Sequence, residues 1–354
     1  MSTSTIATRK NYWSLDIAKF FCAILIISAH FAAERGSFPT LIDYGFSVYI
    51  IGVPFFFACS GFLFFKKLDS LATKAEKKSY FISYQKRIWI MYGLWSLIYV
   101  STRFIGWLRK GTFTLEKFLD WLHKAIVFQT YETIWFLPAL AIGIAIAYFL
   151  VINLSKKKML AVVVIFYIIG MLGYTYKFVI DGTPIGEAFD LYIKLFVTTR
   201  NGIFNAVPFI YMGCLVSRKE ITASKKGFIR YFVLAGASFV LMVAESFLLK
   251  IVFNVTGMDI CIFVAVFTYF FMMALLHIDL KENKVWLWMR KLSILLFVCQ
   301  RIFLSVLPGY LPGIFEKIYA NSYIGLIAVL ALTISFSVIL ILLSKKIKFL
   351  KRMY

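Results

Sequence analysis

The sequence contains about ten apolar runs, each close to the length that crosses a lipid bilayer. A bilayer core about 30 Å thick requires roughly 20 apolar residues in helical form. The chain of 354 residues carries such runs at 15–33, 46–65, 88–105, 134–153, 159–177, 202–217, 231–249, 259–277, 292–308 and 322–344. This pattern predicts an all-α fold, a polytopic membrane helix bundle with about ten transmembrane helices.

The composition indicates that lipid is the main solvent of the chain. Hydrophobic residues make up 61% of it and charged residues only 16%. A soluble fold of this length could not cover so much apolar surface with polar groups. The five cysteines fall within apolar runs and form no C-x-x-C pair, so we interpret them as packed thiols and predict no metal site.

Lys and Arg residues concentrate in alternate loops, which sets the predicted orientation. The net charge of +22 lies in short loops, whereas a nucleic-acid-binding protein concentrates its cations on one face. Because positively charged loops stay in the cytoplasm, both termini and the loops 66–87, 154–158 and 218–230 are predicted to be cytosolic. The longest outer loops are 106–133 and 178–201. The first has the periodicity of an amphipathic interface helix, or of a simple surface cap.

Residues 1–354 are predicted to form one transmembrane domain of a multi-pass plasma or inner membrane protein. The N-terminal segment MSTSTIATRKNYW is polar, and the first apolar run is long and lacks a small-residue cleavage site. We therefore expect a retained first helix, no signal peptide and no additional soluble domain.

Four ionisable side chains lie inside predicted spans, where each costs about 2.5–3.5 kcal/mol to insert. They are Lys19, His30, Glu245 and Arg301. Lys19 and His30 are eleven residues apart, so a helix places them within about 20° of one face and roughly 16 Å apart along its axis. Glu245 and Arg301 fall at a depth similar to that of His30, where they could pair across the bundle.

His30 has two interpretations that the residues alone leave open. A neutral imidazole among apolar side chains can act as a general base, or it can bind a neighbouring helix as a core residue. Glu34 follows one helical turn later. Its carboxylate could orient the ring, or it could be a solvated residue of the outer loop. On the first interpretation His30 and Glu34 form a catalytic pair.

The stretch SLDIAKFFCAILIISAH resembles the opening span of the membrane acyltransferase-3 family, which has a basic residue, ten intervening positions and a histidine. Lys19 and His30 match that pattern. Further similar stretches are VPFFFACSGFLFFKK at 53–67, YQKRIWIMYGLWS at 84–96, IWFLPALAIGIAI at 134–146 and RNGIFNAVPFIYMGCLV at 200–216. The resemblance therefore runs from position 14 to about 216.

This resemblance implies an acyltransferase of class EC 2.3.1.- that moves an acyl group, and acetyl is the expected group. The donor would be cytosolic acyl-CoA as co-substrate, with no tightly bound cofactor. The acceptor would be a hydroxyl of a cell-envelope or exported glycan or of a lipid-linked sugar. His30 would either remove the proton from that hydroxyl or accept the acyl group itself. Membrane lipid is the remaining expected partner, and self-association is left open.

Candidate donor-binding residues lie on the predicted cytosolic side. Lys19 and the pair Lys86 and Arg87 could hold the phosphates of coenzyme A. Ordinary positive-inside anchoring explains Lys86 and Arg87 equally well. Many family members have a second arginine three residues after the first in this region, whereas this chain has Ile90.

Candidate acceptor-binding residues lie on the predicted outer side. Trp135 could stack against a substrate, or belong to an ordinary aromatic belt. Arg200 and Asn201 could bind a carboxylate or hydroxyl, although Asn201 could also cap a helix. Arg301 is a further candidate. It follows Gln300, which stands where family members often carry a second histidine.

Two rival functions use the same buried charges. A polysaccharide exporter or flippase could line a permeation path with them. A membrane anchor or sensor subunit could use them to hold a partner helix. The sequence shows no convincing internal repeat and no matching pair of Gly- or Pro-broken spans, which counts against a transporter.

Overall fold

The computed structural model describes residues 11–35, 47–255 and 257–354, and within these ranges all regular structure is helical. Residues 1–10, predicted to be cytosolic, and residue 46, predicted to open the second span, lie outside the described residues. The helices are α1 (Trp13–Arg35), α2 (Gly52–Asp69), α3 (Lys74–Arg109), α4 (Leu115–Val127), α5 (Phe136–Asn153), α6 (Lys156–Leu172), α7 (Pro184–Phe196), α8 (Val207–Ser217), α9 (Lys225–Phe253), α10 (Ile262–Leu276), α11 (Lys284–Arg301), α12 (Leu307–Tyr310), α13 (Pro312–Tyr319) and α14 (Ser322–Lys346).

The predicted all-α membrane bundle is confirmed, but the number of ten spans is not. Across the described ranges, seven helices are long and apolar enough to cross a membrane. They cover Trp13–Glu34, Tyr49–Asp69, Lys74–Arg109, Phe136–Asn153, Lys225–Phe253, Lys284–Tyr310 and Ser322–Lys346. The other three predicted spans fall on helices of 17 residues or fewer, Lys156–Leu172, Gly202–Ser217 and Ile262–Leu276.

Helix α3 corrects the predicted cytosolic loop at 66–87. Residues Lys74–Arg109 form one helix of 36 residues, which at 1.5 Å per residue is about 54 Å long. Thr73 and Glu76 form a reciprocal capping box that fixes its first turn. The first turns are rich in Lys, so hydropathy does not detect them. The helix is longer than a bilayer core and extends beyond it on the predicted inner side.

Two amphipathic helices lie in the two long loops that are predicted to be on the outer side. The amphipathic helix predicted in 106–133 is confirmed as α4, and α7 lies in the loop 178–201. The two contact each other, and His123 Nε2 of α4 lies 2.7 Å from the carbonyl oxygen of Leu195 in α7. Large apolar side chains of α4 remain exposed, including Leu115, Leu119 and Ile126. Such a face suits the membrane interface.

Close backbone contact joins α2 to α8 in the interior. A Cβ atom added to Gly61 would collide with the backbone of Ile210, and one added to Gly213 would collide with the carbonyl of Ala58. Gly61 and Gly213 therefore allow the two helices to approach closely. Elsewhere in the bundle α1 packs along α11 and α9 packs along α10. The pairing of α1 with α11 positions the candidate site.

Candidate active site

His30 of α1 meets Gln300 of α11. The ring atom Nδ1 lies 2.8 Å from Oε1 of Gln300. Gln300 is 0% exposed, and its Nε2 donates a hydrogen bond of 2.9 Å to the carbonyl of Phe297. Because the amide nitrogen is engaged there, the amide oxygen faces the ring and must accept. His30 therefore carries its proton on Nδ1.

This hydrogen bond fixes the chemical state of the His30 ring. With Nδ1 protonated, Nε2 of the neutral imidazole keeps its lone pair. Nε2 has no hydrogen-bond partner within residues 11–35, 47–255 and 257–354. A lone pair held in one orientation by a buried partner is what a general base or a nucleophile requires.

Arg301 draws Glu34 away from the histidine. Arg301 is buried and forms an ion pair with Glu34, and its Nη1 lies 3.5 Å from Oε2 of Glu132. The predicted contact between Glu34 and the His30 ring is therefore corrected, since Gln300 occupies that position. A full positive charge attracts the carboxylate more strongly than a neutral imidazole does. The substrate-binding role predicted for Arg301 stays a prediction.

Glu245 does not pair with Arg301, contrary to the possibility raised by the sequence. Its carboxylate accepts hydrogen bonds from the backbone N–H groups of Ile262, at 2.8 Å, and Phe263, at 3.0 Å. The hydroxyl of Tyr176 also donates to it. These N–H groups open α10, whose own N-terminal residue provides no capping side chain. Glu245 therefore caps that helix from a neighbouring one.

Trp135 and Arg200, predicted separately as acceptor-binding residues, lie together. The guanidinium of Arg200 is 4.8 Å from the centre of the Trp135 ring, and its Nη1 is 2.7 Å from Oδ2 of Asp259. The hydroxyl of Tyr174 also donates to Asp259, at 3.0 Å. Burial lowers the pKa of Arg200, but the charge of Asp259, its hydrogen bond and the nearby Tyr174 together outweigh burial, and the pKa is raised overall.

Asn201 is a capping residue. Its Oδ1 accepts from the backbone N–H groups of Ile203, at 2.9 Å, and Phe204, at 3.1 Å. Its Nδ2 donates to the hydroxyl of Tyr192 and to the carbonyl of Thr198. These contacts use most of the hydrogen-bonding capacity of the amide. The capping interpretation from the sequence is confirmed, and the acceptor-binding role predicted for Asn201 loses its chemical basis.

One π-helical turn follows Arg200 and another follows Arg301. The first covers Gly202–Ala206, directly after Arg200 and Asn201, and the second covers Ile302–Val306, directly after Arg301. Such wide turns are rare and recur at functional sites, because they rotate side chains away from the regular helical register. Candidate site residues on both segments therefore adjoin irregular helical turns.

Lys19 lies in a charge cluster at the inner end of α1. Its Nζ is 2.9 Å from Oδ1 of Asp16, and Asp16 also binds Arg290 of α11 at 2.7 Å. Arg290 lies 4.6 Å from the centre of the Trp13 ring. Asp16 is not among the predicted site residues, although its position three residues before Lys19 is typical of an ion pair on one helix face.

Lys86 and Arg87 line a cleft of about 360 Å³ together with the end of the chain. Its remaining lining residues are Ser83, Ile90, Lys351 and Arg352. Four cations and no carboxylate therefore face one cavity at the predicted inner side. The sequence could not pair Lys351 with Lys86, because Lys351 lies 265 positions after Lys86.

Helix α3 links this inner cleft to the level of the histidine. The hydroxyl of Tyr99 donates a hydrogen bond of 2.5 Å to the carbonyl of Val298, which lies two residues before Gln300. Twelve residues separate Arg87 from Tyr99, which is a rise of about 18 Å. Trp95 lies between them and donates to the carbonyl of Met353 at 3.0 Å. The inner cleft and the His30–Gln300 pair are thus about 18 Å apart along this helix.

The fold and the site together describe a helix bundle in which an oriented imidazole lies about 18 Å along α3 from a cationic cleft. The chain belongs to the membrane acyltransferase-3 family, since the family model described as "Acyltransferase domain" matches residues 12–342. The resemblance drawn from the sequence is confirmed. The chain therefore carries an acyltransferase domain of this family, and seven helices in the described residues are long and apolar enough to span a membrane.

The chain is also similar to proteins named as racemases. It is 32% identical over 229 residues to an amino-acid racemase of Enterococcus faecalis, covering 64% of this chain and 31% of that protein. It is 27% identical over 213 residues to a serine/alanine racemase of Enterococcus gallinarum, covering 58% of this chain and 29% of that protein. The chain thus spans less than a third of the length of these relatives. No solved structure matches it.

Proposed function

We propose that the protein transfers an acyl group from cytosolic acyl-CoA to a hydroxyl of a cell-envelope or exported glycan, with acetyl as the expected acyl group. The cell membrane, plasma or inner, is the proposed location. The observation that carries this proposal is the hydrogen bond between His30 Nδ1 and Gln300. It leaves Nε2 unprotonated, about 18 Å along α3 from a cleft lined by four cations.

In the proposed reaction, His30 Nε2 removes the proton from the acceptor hydroxyl as the oxygen attacks the thioester carbonyl. The tetrahedral intermediate then collapses, the carbon–sulfur bond breaks, and the coenzyme A thiolate leaves. The proton held on Nε2 passes to that thiolate, so the imidazole returns to its starting state. Gln300 keeps the ring in one orientation throughout and stabilises the imidazolium through its amide oxygen.

The inner cleft is the proposed docking site of the donor. Coenzyme A carries several phosphate charges, and Arg and Lys side chains bind phosphate through charge-assisted hydrogen bonds. Lys86 and Arg87 would hold these phosphates from α3, and Lys351 and Arg352 from the other wall. The pantetheine arm would then extend outward along α3 toward His30, over the rise of roughly 18 Å between Arg87 and Tyr99.

Removing cations from this cleft is expected to weaken donor binding. The double variant Lys351→Gln and Arg352→Gln should raise the KM for acetyl-CoA at least about tenfold with little change in kcat. Each lost charged hydrogen bond costs about 1.5–3 kcal/mol, and 1.4 kcal/mol corresponds to a factor of ten. Initial rates of labelled acetyl transfer in proteoliposomes provide the measurement.

A matched control removes two cations from elsewhere on the inner side. Lys157→Gln with Lys158→Gln deletes the same charge from the exposed start of α6 and should leave the KM within about twofold. Equal effects of the two double variants would refute the assignment of the cleft.

Mass spectrometry of envelope glycans from cells with and without the protein tests the proposed function as a whole. Loss of an acetyl or other acyl increment is expected when the protein is absent. A flippase would instead move a labelled glycan across proteoliposomes without consuming acyl-CoA, and that outcome would overturn the proposal.

A further inference from the structure

The outer end of α3 contains a second cavity, which none of the predicted site residues lines. It has a volume of about 290 Å³. Its lining includes Arg103, Trp107, Arg109, Lys110, Tyr131 and Tyr310. The walls come from α3, from the segment before α5, from the π-helical turn after α11 and from α12. Three cations and three aromatic rings face this cavity.

The cations of the outer cavity have no acidic partner. Arg103 lies 4.6 Å from the centre of the Tyr131 ring, and Arg109 lies 4.8 Å from that of Tyr310. Neither of them, nor Lys110, forms an ion pair with a carboxylate in the part of the chain that the structure describes. The nearby Glu132 is directed toward Arg301 instead. A guanidinium group that lies over a ring has N–H donors left for an anion.

Short local contacts place the outer cavity close to the His30–Gln300 pair. Ser305 lines the cavity, and its hydroxyl donates a hydrogen bond of 3.2 Å to the carbonyl of Arg301, the residue after Gln300. Tyr131 stacks on Tyr99 with ring centres 4.6 Å apart. Arg103 lies four residues beyond Tyr99, a rise of about 6 Å. The cavity thus begins roughly one helical turn outward from the level of the histidine.

We infer that this outer cavity binds an anionic sugar unit of the acyl acceptor, one that carries a phosphate or a carboxylate beside its hydroxyl groups. The inference rests on the proposed function and adds the chemical class of the acceptor. Arg103, Arg109 and Lys110 hold the anionic group, because forked guanidinium donors match carboxylate and phosphate oxygens. The rings of Trp107 and Tyr310 pack against the apolar face of the sugar. The acceptor hydroxyl then points inward toward His30.

Binding of defined sugars to the protein in nanodiscs of neutral lipid tests this inference. The probes are fluorescent trigalacturonate and phosphorylated maltotriose, which are anionic, and fluorescent maltotriose, which is neutral. At least one anionic probe should bind about tenfold more tightly than the neutral one. Arg103→Gln with Arg109→Gln should abolish that preference, with at least a tenfold loss of affinity for the anionic probe. Equal binding of all three probes would overturn the inference.

Two controls make the assignment specific. Lys317→Gln removes an exposed outer cation from α13, outside the cavity, and should leave the affinity within about twofold. Nanodiscs that contain phosphatidylglycerol test whether lipid headgroups occupy the cavity instead. Unchanged sugar affinity supports the inference. Full displacement of the anionic probe by that lipid identifies a lipid site and refutes it.

The proposed function and the acceptor site can fail separately. His30→Ala protein should still bind the anionic probe, because His30 does not line the cavity. Probe binding without any acyl transfer by the wild-type protein would overturn the proposed function and leave the binding site standing. Acyl transfer whose acceptor KM is unchanged in the double arginine variant would overturn the acceptor site and leave the function standing.

Discussion

Replacing His30 by alanine is expected to lower the rate of acyl transfer by about 10²- to 10⁴-fold, the typical contribution of a positioned general base. The side chain is deleted from a half-buried position on α1, so membrane insertion and acyl-CoA binding should persist. Initial rates of labelled acetyl transfer, with donor binding measured on the same preparation, provide the test.

His123→Ala is the matched control for this variant. His123 lies on the amphipathic helix α4. In the described residues, its side chain forms a hydrogen bond only with the carbonyl of Leu195. Its loss should leave the transfer rate within about twofold. Wild-type activity of purified His30→Ala protein would refute the catalytic assignment.

Replacing Gln300 by leucine is expected to lower kcat by about 10²-fold, an effect second in size only to that of the His30→Ala variant. The substitution removes the acceptor that holds the Nδ1 proton, so the ring can rotate or change its tautomer. The KM for acetyl-CoA should stay unchanged, because the donor cleft lies about 18 Å away along α3. Separate kcat and KM values from steady-state transfer provide the measurement.

Two companion variants separate orientation from structure. Gln300→Glu keeps an acceptor oxygen at the same position and should retain most of the activity that the leucine variant loses. Glu34→Gln removes a carboxylate that contacts Arg301 and leaves the Gln300 contact intact, so its kcat should fall far less. A larger loss for Glu34→Gln than for Gln300→Leu would restore the carboxylate as the orienting group.

Much of the membrane architecture follows from periodicity alone. Long apolar runs predict spanning helices because lipid leaves a backbone no alternative way to satisfy its hydrogen bonds. The same reasoning fails at α3, whose first turns are polar and whose helix continues on local propensity and a capping box. The count of ten spans is also not confirmed, because helices such as Ile262–Leu276 are shorter than the bilayer core.

The candidate site is only partly readable from the sequence. The eleven-residue spacing of Lys19 and His30 is local, so helical geometry predicts their shared face. The partner of His30 is not local, because Gln300 lies 270 positions away and is brought to it by the packing of α1 against α11. Helical spacing favoured Glu34 as the partner of the His30 ring. In the structure Glu34 forms an ion pair with Arg301 instead.

The most direct test of the central claim is a cryo-EM structure of the protein with a non-hydrolysable thioether analogue of acetyl-CoA. The account predicts phosphate density among Lys86, Arg87, Lys351 and Arg352. It also predicts the acyl end within reach of Nε2 of His30, with Gln300 still bound to Nδ1. An acyl end that lies in another cavity, with the His30 ring facing lipid, would contradict the account.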